Sequence, residues 1–221
     1  MNYEWSFHFL WQYQALIAKG IGVTVGFTLL TVLLGMVAGL LIALGRMTGR
    51  KWLSIPLVAL VEVFRCTPVL VQLIWIYYAL PVLIGLELSA AQAAIVTLSL
   101  YGGAFYAEII RGGIVSIEQG QWDAGHALGL RTWPLMRKVI LPQALRRMLP
   151  PLVNQSILQL KNTSLVSVLA VPDILYQGQL ITSATYRPLE TYTTVAVVYF
   201  AILYPLTWAA TRLEQHLAKR P

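Results

Sequence analysis

Polar side chains that can bind a small charged solute interrupt two apolar segments of this sequence. Charged groups inside a membrane are costly to bury and usually serve a function. A zwitterion such as an amino acid needs donors for its carboxylate and acceptors for its ammonium group, and lysine and amide side chains supply both. We expect the following side chains to line a solute path: Glu62, Arg65, Thr67, Gln72, Gln155, Gln159, Lys161, Asn162 and Thr163.

Each of the two groups also has a purely structural interpretation. Glu62 and Arg65 are three residues apart and share a helix face, so they can simply neutralise each other. Alternatively, Arg65 can extend its side chain to the membrane surface. The polar residues around Lys161 form a broad stripe that can hydrogen-bond neighbouring helices inside a bundle. The residues themselves leave these alternatives open.

Long apolar runs dominate the rest of the chain. It is 57% hydrophobic and 11% charged, with a mean hydropathy of +0.67, and an apolar run of about 18 residues or more is typical of a membrane span. Residues 1–221 are predicted to form one all-α membrane domain with five transmembrane helices. Their approximate ranges are 21–45, 55–84, 91–111, 148–171 and 191–211.

Local patterns add detail to these spans. The pairs Gly22/Gly26 and Gly35/Gly39 have the G-x-x-x-G spacing that lets helices approach closely. Pro68 has no amide hydrogen and disfavours helix at the residue before it, so we expect the second span to be interrupted there. The fourth span is only weakly apolar. Asp173, just beyond it, is expected either at a gate or delivery-protein contact or in a solvated loop.

The distribution of lysine and arginine predicts the orientation of the chain. Twelve of the sixteen lie in the first loop, in the long central loop with its margins, and in the C-terminal tail, whereas Lys19 and Arg187 lie on the other side. Cytoplasmic loops carry the excess of positive charge. The N-terminus is therefore predicted to be periplasmic and the C-terminus cytoplasmic. The cytoplasmic tail includes Arg212, Lys219 and Arg220.

The sequence lacks the residues for several other functions. It contains no G-x-x-x-x-G-K-[ST] phosphate-binding loop, so we do not expect this chain to hydrolyse ATP. Its three histidines are scattered and Cys66 is its single cysteine, so no metal, catalytic or cofactor site is predicted. The net charge of +7 comes from residues that flank apolar segments, which argues against a nucleic-acid partner.

The polar loop at about 116–142 is the most informative stretch. It has Asp-Ala-Gly at 123–125, three residues, Gly129, nine residues, and then Val-x-Leu-Pro at 139–142. This resembles the "EAA" signature of ATP-binding cassette importer permeases, with Asp for Glu, Gly for Ala and Val for Ile. In that family the loop carries a short helix that docks into the ATPase subunit. The resemblance therefore implies these coupling residues: Trp122, Asp123, Ala124, Gly125, Ala127, Gly129, Arg131, Leu141 and Pro142.

The local structure of this loop is also predicted. We expect Ser116 and Glu118 to cap the short helix, Gly129 to end it and Pro134 to begin the next one. The small side chains at positions 124, 125 and 127 are expected to allow a close approach by the partner.

Three further stretches resemble the permeases for polar amino acids in the same family. Residues 64–72 resemble F-R-G-T-P-hydrophobe-hydrophobe-V-Q, with Cys66 in place of Gly, and residues 160–165 resemble L-K-N/D-T-S-L. Residues 101–113 resemble the AY-x-AEI-x-RGG stretch, in which Glu108 and Arg111 predict an ion pair at a helix end. The resemblance extends from about residue 20 to about residue 212.

The resemblance implies the type I importer permease fold and a multi-pass subunit of the bacterial inner membrane. The implied partners are two ATPase subunits that bind ATP and Mg²⁺, a second permease subunit that is the same chain or a similar one, a periplasmic substrate-binding protein and the lipid bilayer. The expected function is translocation of a polar amino acid. The alternatives are another small solute, such as an opine, methionine or an osmolyte, and a stand-alone channel or carrier.

Overall fold

The computed structural model describes residues 3–218, and the regular secondary structure in this part of the chain is helical, without strands. This confirms the predicted all-α class. Lys219 and Arg220, counted above among the C-terminal cations, lie outside the described residues. The α-helices are α1 (Gln14–Met47), α2 (Lys51–Cys66), α3 (Val69–Ile84), α4 (Ala90–Val115), α5 (Gln119–Ala127), α6 (Thr132–Leu135), α7 (Leu141–Asn162), α8 (Ile174–Thr185) and α9 (Pro188–Ala218). A 3-10 helix, His8–Tyr13, precedes α1, and a π-helical turn, Met136–Ile140, joins α6 to α7.

Helices α1 and α4 form the centre of the bundle because glycine lets their backbones meet. A Cβ atom placed on Gly39 would lie 2.6 Å from the Cβ of Tyr106 and 2.9 Å from the amide nitrogen of Ala107. The close approach predicted for Gly35/Gly39 is therefore confirmed. Within residues 3–218, no atom outside the local helix backbone lies within 4 Å of a Cβ built on Gly22 or Gly26. The first pair has the same spacing but makes no such contact in this part of the chain.

The predicted interruption of the second span is confirmed at Thr67 and Pro68. Both residues have extended backbone angles, and α2 and α3 meet at 110°. The side-chain amide of Gln72 holds this bend, because its Nε2 donates to the carbonyl oxygens of Phe64 at 2.9 Å and Thr67 at 3.0 Å. These bonds occupy carbonyl groups that lose their helical donors at the break.

The number of membrane crossings lies between three and five. Within the described residues, three helical segments are long and apolar enough to cross alone: His8–Met47, Ala90–Val115 and Pro188–Leu217. Two bent pairs, α2 with α3 and the 132–169 segment with α8, raise the number to five if each pair crosses once. Five crossings therefore remain a prediction. The helices also run past the predicted edges, since α1 begins at Gln14 and α9 continues to Ala218.

The region after the fourth predicted span differs from expectation. A 3-10 turn, Thr163–Leu169, follows α7, and a further helix, α8, had not been predicted. Asp173 is fully buried as the N-cap of α8, where it accepts hydrogen bonds from the amide of Tyr176 at 2.8 Å and the hydroxyl of Tyr199 at 3.2 Å. The expected solvated loop and the expected contact with a delivery protein are therefore wrong, because the buried carboxylate caps the start of α8 inside the chain. A position at a gate stays a prediction.

Candidate functional site

The short helix α5 ends in a tight glycine turn. The amide of Leu130 donates to the carbonyl of Gly125 at 3.1 Å and the amide of Gly129 donates to that of His126 at 2.9 Å, which are the paired bonds of a Schellman motif. Gly129 has a φ of 74°, a conformation that favours glycine. The expected end of the helix at Gly129 is confirmed, and Pro134 lies within α6, which begins at Thr132.

The glycine at position 125 fits α5 against its own chain. A Cβ atom on Gly125 would lie 2.2 Å from Cδ1 of Leu135, and both residues are buried. The small residue at 125 was expected to face a partner, and this expectation is wrong because the side chain of Leu135 fills that space. Ala124 and Ala127 are exposed and remain open to a partner.

Helices α4 and α7 hold the α5–α6 segment firmly. Leu135 belongs to a buried apolar cluster with Ile114, Ile117, Ile140, Ala144 and Met148. The guanidinium of Arg147 donates to the carbonyl of Ser116, and the amide of Gln143 donates to Oε1 of Gln121 at 3.2 Å. The α5–α6 segment is therefore joined to α4 and α7 by both apolar packing and hydrogen bonds.

The start of α5 differs from the prediction. The hydroxyl of Ser116 donates to the carbonyl of Gly113 at 2.8 Å and so satisfies the end of α4. Glu118 is the N-cap residue of α5, but its side chain makes no capping hydrogen bond. The expected side-chain caps are therefore wrong, because the Ser116 hydroxyl is bonded to the end of α4 instead.

The other predicted coupling residues lie on or near the surface of this segment. Trp122 is half-buried, Asp123 is exposed and accepts from Gln119 at 3.1 Å, and Arg131 is the exposed N-cap of α6. Leu141 and Pro142 form the exposed first turn of α7.

Two large apolar side chains of the α5–α6 segment were not among the predicted coupling residues. Leu128 is 80% exposed and Trp133 is 71% exposed, and they lie on either side of the glycine turn. The signal for them was available: they are bulky apolar residues in an otherwise polar loop. Such side chains beside the exposed Arg131, Arg137 and Lys138 are typical of a protein-binding surface.

A second group of polar residues surrounds the bend between α2 and α3. Arg65 and Glu62 form an ion pair with an N–O distance of 3.2 Å, and both side chains are exposed. The Arg65 guanidinium also lies 5.9 Å from the ring centre of Phe105 on α4. Thr67 is exposed and Gln72 is buried. The structure thus brings the four predicted residues of the first segment together at one bend.

The polar stripe on α7 divides into two faces. Gln155, Gln159 and Thr163 are buried, and Nε2 of Gln159 donates to the carbonyl of Leu98 on α4 at 2.7 Å. Asn162 is half-buried, and Lys161 is exposed. The buried face makes helix–helix contacts, whereas the Lys161 face is open on the single chain.

The predicted ion pair at the end of α4 is present and has a third member. Glu108 accepts from Arg111 on its own helix at 2.9 Å, and it also accepts from Arg46 at the end of α1. The contact with Arg46 was not predicted, since it joins residues 62 positions apart in the sequence. This cluster joins the C-terminal ends of α1 and α4.

Known proteins resemble this chain over almost its whole length. The family model described as "Binding-protein-dependent transport system inner membrane component" matches residues 12–220. The glutamine transport system permease protein GlnP of Escherichia coli (strain K12) is 40% identical over 218 residues, 98% of this chain and 99% of that protein. The probable amino-acid ABC transporter permease YckA of Bacillus subtilis (strain 168) is 38% identical over 84% of this chain and 82% of that protein.

Solved structures show the same architecture. A chain from a crystal structure of an amino acid ABC transporter with histidines superposes with a TM-score of 0.92 at 34% identity, covering 97% of this chain and 100% of that one. A chain of the MetNI methionine ABC transporter superposes with a TM-score of 0.76 at 22% identity, covering 96% of this chain and 99% of that one. The second similarity concerns the fold alone.

Proposed function

The chain belongs to the family of binding-protein-dependent transport system inner membrane components, and from that premise we propose that it carries a polar amino acid across the inner membrane as a subunit of an ATP-driven importer. The observation that carries the proposal is the 40% identity to a glutamine permease over 98% of the chain. Glutamine is therefore the first substrate to test. A stand-alone channel or carrier is not retained, because the family depends on a binding protein by its own description.

Uptake into proteoliposomes tests the function directly. The chain is reconstituted with an ATPase and a binding protein from the same organism that co-purify with it, and labelled glutamine, glutamate, histidine, arginine, methionine and an opine are compared. We expect ATP-dependent uptake of a polar amino acid. Uptake without ATP and without the binding protein would contradict the proposal. Exclusive uptake of methionine or of an opine would show that the substrate is not a polar amino acid of the proposed class.

A partner ATPase supplies the energy in this proposal. The partner binds ATP and Mg²⁺, since the sequence of this chain has no phosphate-binding loop. Its docking surface is the exposed part of the α5–α6 segment, to which Leu128 and Trp133 contribute apolar area. The cations Arg131, Arg137 and Lys138 are exposed beside them and match acidic groups on the partner.

A second permease subunit completes the solute path in this proposal. Lys161 and the Glu62–Arg65 pair are exposed on the single chain although they lie in apolar segments. Lipid does not solvate such groups, so water in a path or another subunit must cover them. A pair of permeases, with one ATPase docked on each, places the charged faces opposite one another around a shared cavity.

Lys161 is proposed to bind the carboxylate of the substrate. Burial of an ammonium at the centre of a membrane helix costs roughly 2.5–3.5 kcal/mol, and a substrate carboxylate in the path offsets that cost. Lys161→Met keeps the length of the side chain and removes its charge. Loss of one charge-assisted hydrogen bond, about 1.5–3 kcal/mol, is expected to lower uptake at low substrate concentration roughly tenfold to a hundredfold.

Basal ATPase activity and assembly of the complex separate the interpretations of Lys161. Both are expected to survive in Lys161→Met, and Lys19→Met serves as the control because Lys19 is another exposed lysine near the start of α1. Failed assembly would indicate a structural role for Lys161. Normal uptake in Lys161→Met would show that Lys161 does not contribute to the solute path.

The proposed orientation places the N-terminus in the periplasm and the C-terminus in the cytoplasm. Single cysteines introduced into a Cys66→Ser background, with an impermeant thiol reagent added from outside, test it. Labelling is expected at positions 86 and 186 and not at positions 50 and 131, all four of which are exposed. The reverse pattern would overturn the orientation and, with it, the access of an ATPase to α5.

A further inference from the structure

A long apolar groove lies on the outside of the bundle between α1, α7 and α9. Its volume is about 580 Å³, within the range of roughly 300–1,000 Å³ that ligand sites occupy. The α9 wall runs from Ile202 to Leu213 and the α7 wall from Val153 to Leu160. Neither the α5–α6 segment nor Lys161 and the Glu62–Arg65 pair line this groove.

The walls of the groove offer no free polar group to a ligand. Of its lining residues only Thr28 and Ser156 carry hydroxyls. The hydroxyl of Thr28 donates to the carbonyl of Thr24 at 2.7 Å, and that of Ser156 donates to the carbonyl of Leu152 at 2.8 Å. A polar ligand would lose its hydrogen bonds to water on entering the groove. The part of the ligand that contacts the walls is therefore apolar.

The length of the groove matches one leaflet of a bilayer. The eleven steps along α9 from Ile202 to Leu213 correspond to about 16 Å at a rise of about 1.5 Å per residue. This is about half of the roughly 30 Å hydrocarbon core. An acyl chain that enters from one membrane surface and reaches the midplane has this length.

Two arginines flank the end of the groove where α9 leaves the bundle. Arg212 follows the lining residue Ala209 by one turn and stacks on Trp208, with 5.1 Å between guanidinium and ring centre. Arg146 precedes the lining residue Val153 by two turns, so it lies on the same face of α7 about 10 Å beyond the groove lining. Both arginines are exposed.

Neither cation forms an ion pair within the described residues, although Arg212 stacks on Trp208. Arg46 and Arg111 are paired with Glu108, and Arg147 donates to the carbonyl of Ser116. Across residues 3–218, neither Arg146 nor Arg212 has a carboxylate oxygen within 4.0 Å of its guanidinium. The mouth of an apolar groove therefore carries two positive charges that the chain itself does not neutralise.

We propose that this groove binds an acyl chain of an anionic phospholipid, with the lipid phosphate held by Arg146 and Arg212. A basic pocket at the membrane surface selects anionic headgroups, and the apolar walls select the chain. The proposal is independent of the substrate and of ATPase coupling. An anionic lipid supplies both an apolar chain for the walls and a negative charge for the two exposed guanidinium groups, whereas an apolar helix of a second subunit supplies only the first.

Lipid retention by the assembled transporter tests the site. The complex is stripped of lipid in detergent and given phosphatidylglycerol or phosphatidylethanolamine. Native mass spectrometry then measures how much of each lipid stays bound. We expect roughly tenfold stronger retention of phosphatidylglycerol, a preference that Arg146→Gln with Arg212→Gln removes. Arg50→Gln, a change of another exposed cation on the proposed cytoplasmic side, should leave the preference unchanged. Excess inorganic phosphate should not displace the lipid, because the acyl chain holds it.

A second variant tests the groove itself. Ala209→Trp fills it from the α9 wall and is expected to abolish retention, whereas Ala201→Trp, at an exposed position of α9 outside the lining, is expected to have no effect. Equal retention of the two lipids, an unchanged preference in the double arginine variant, or displacement by phosphate alone would each overturn the proposal. Dissociation of the permease pair by Ala209→Trp would also overturn it and identify the groove as a subunit interface.

Discussion

Replacement of both Leu128 and Trp133 by serine is expected to reduce ATP-driven uptake about a hundredfold or more while the chain still enters the membrane. The two side chains are 80% and 71% exposed on a segment that α4 and α7 hold rigidly. Apolar anchors at the centre of an interface contribute roughly 2 kcal/mol or more each. Loss of about 4 kcal/mol lowers the affinity for the ATPase about a thousandfold, so uptake is limited by docking.

A matched control separates docking from a general effect of lost apolar surface. Trp52 at the start of α2 is also 71% exposed but lies outside the α5–α6 segment. Trp52→Ser is expected to retain uptake and co-purification with the ATPase. Normal uptake and normal co-purification in the Leu128/Trp133 variant, at equal membrane abundance, would show that this surface does not couple the permease to the ATPase.

Replacement of Gly39 by leucine is expected to prevent stable assembly of the bundle. The first added carbon would lie 2.6 Å from Cβ of Tyr106 and 2.9 Å from backbone atoms of Ala107 and Gly103. Backbone atoms of a packed helix cannot move aside as a flexible side chain can, so α1 and α4 must separate. We expect a loss of about 3 kcal/mol or more in the free energy of unfolding, measured as a lower melting temperature in detergent and lower membrane abundance.

The control for this variant is the same substitution in the other glycine pair. Gly26→Leu adds its side chain where no atom of another described segment lies within 4 Å of the new Cβ, so stability is expected to change by less than about 1 kcal/mol. Equal losses in the two variants would contradict the assignment of α1–α4 packing to Gly35/Gly39. A loss of stability in Gly26→Leu alone, seen only when two permease subunits are assembled, would indicate that Gly22/Gly26 lies at a contact between the subunits.

The sequence by itself determined the features that depend on neighbouring residues. Pro68 breaks a helix because it lacks an amide hydrogen, whatever surrounds it. Gly129 ends α5 because only a left-handed residue forms that turn, and Glu108 meets Arg111 because residues three apart share a helix face. The family was implied by the resemblance of short motifs to known permeases, and the match of residues 12–220 to the family confirms it.

Only the tertiary structure decided which side of each helix faces the protein. Gln159 and Lys161 both belong to the polar stripe on α7, yet α4 covers the first and leaves the second exposed. Gly35/Gly39 and Gly22/Gly26 share one spacing, yet only the former pair meets another backbone. Arg46 reaches Glu108, and Asp173 is buried beneath Tyr199, through contacts between distant parts of the chain. Such choices depend on the mutual orientation of packed helices, which the periodicity of any single segment does not contain.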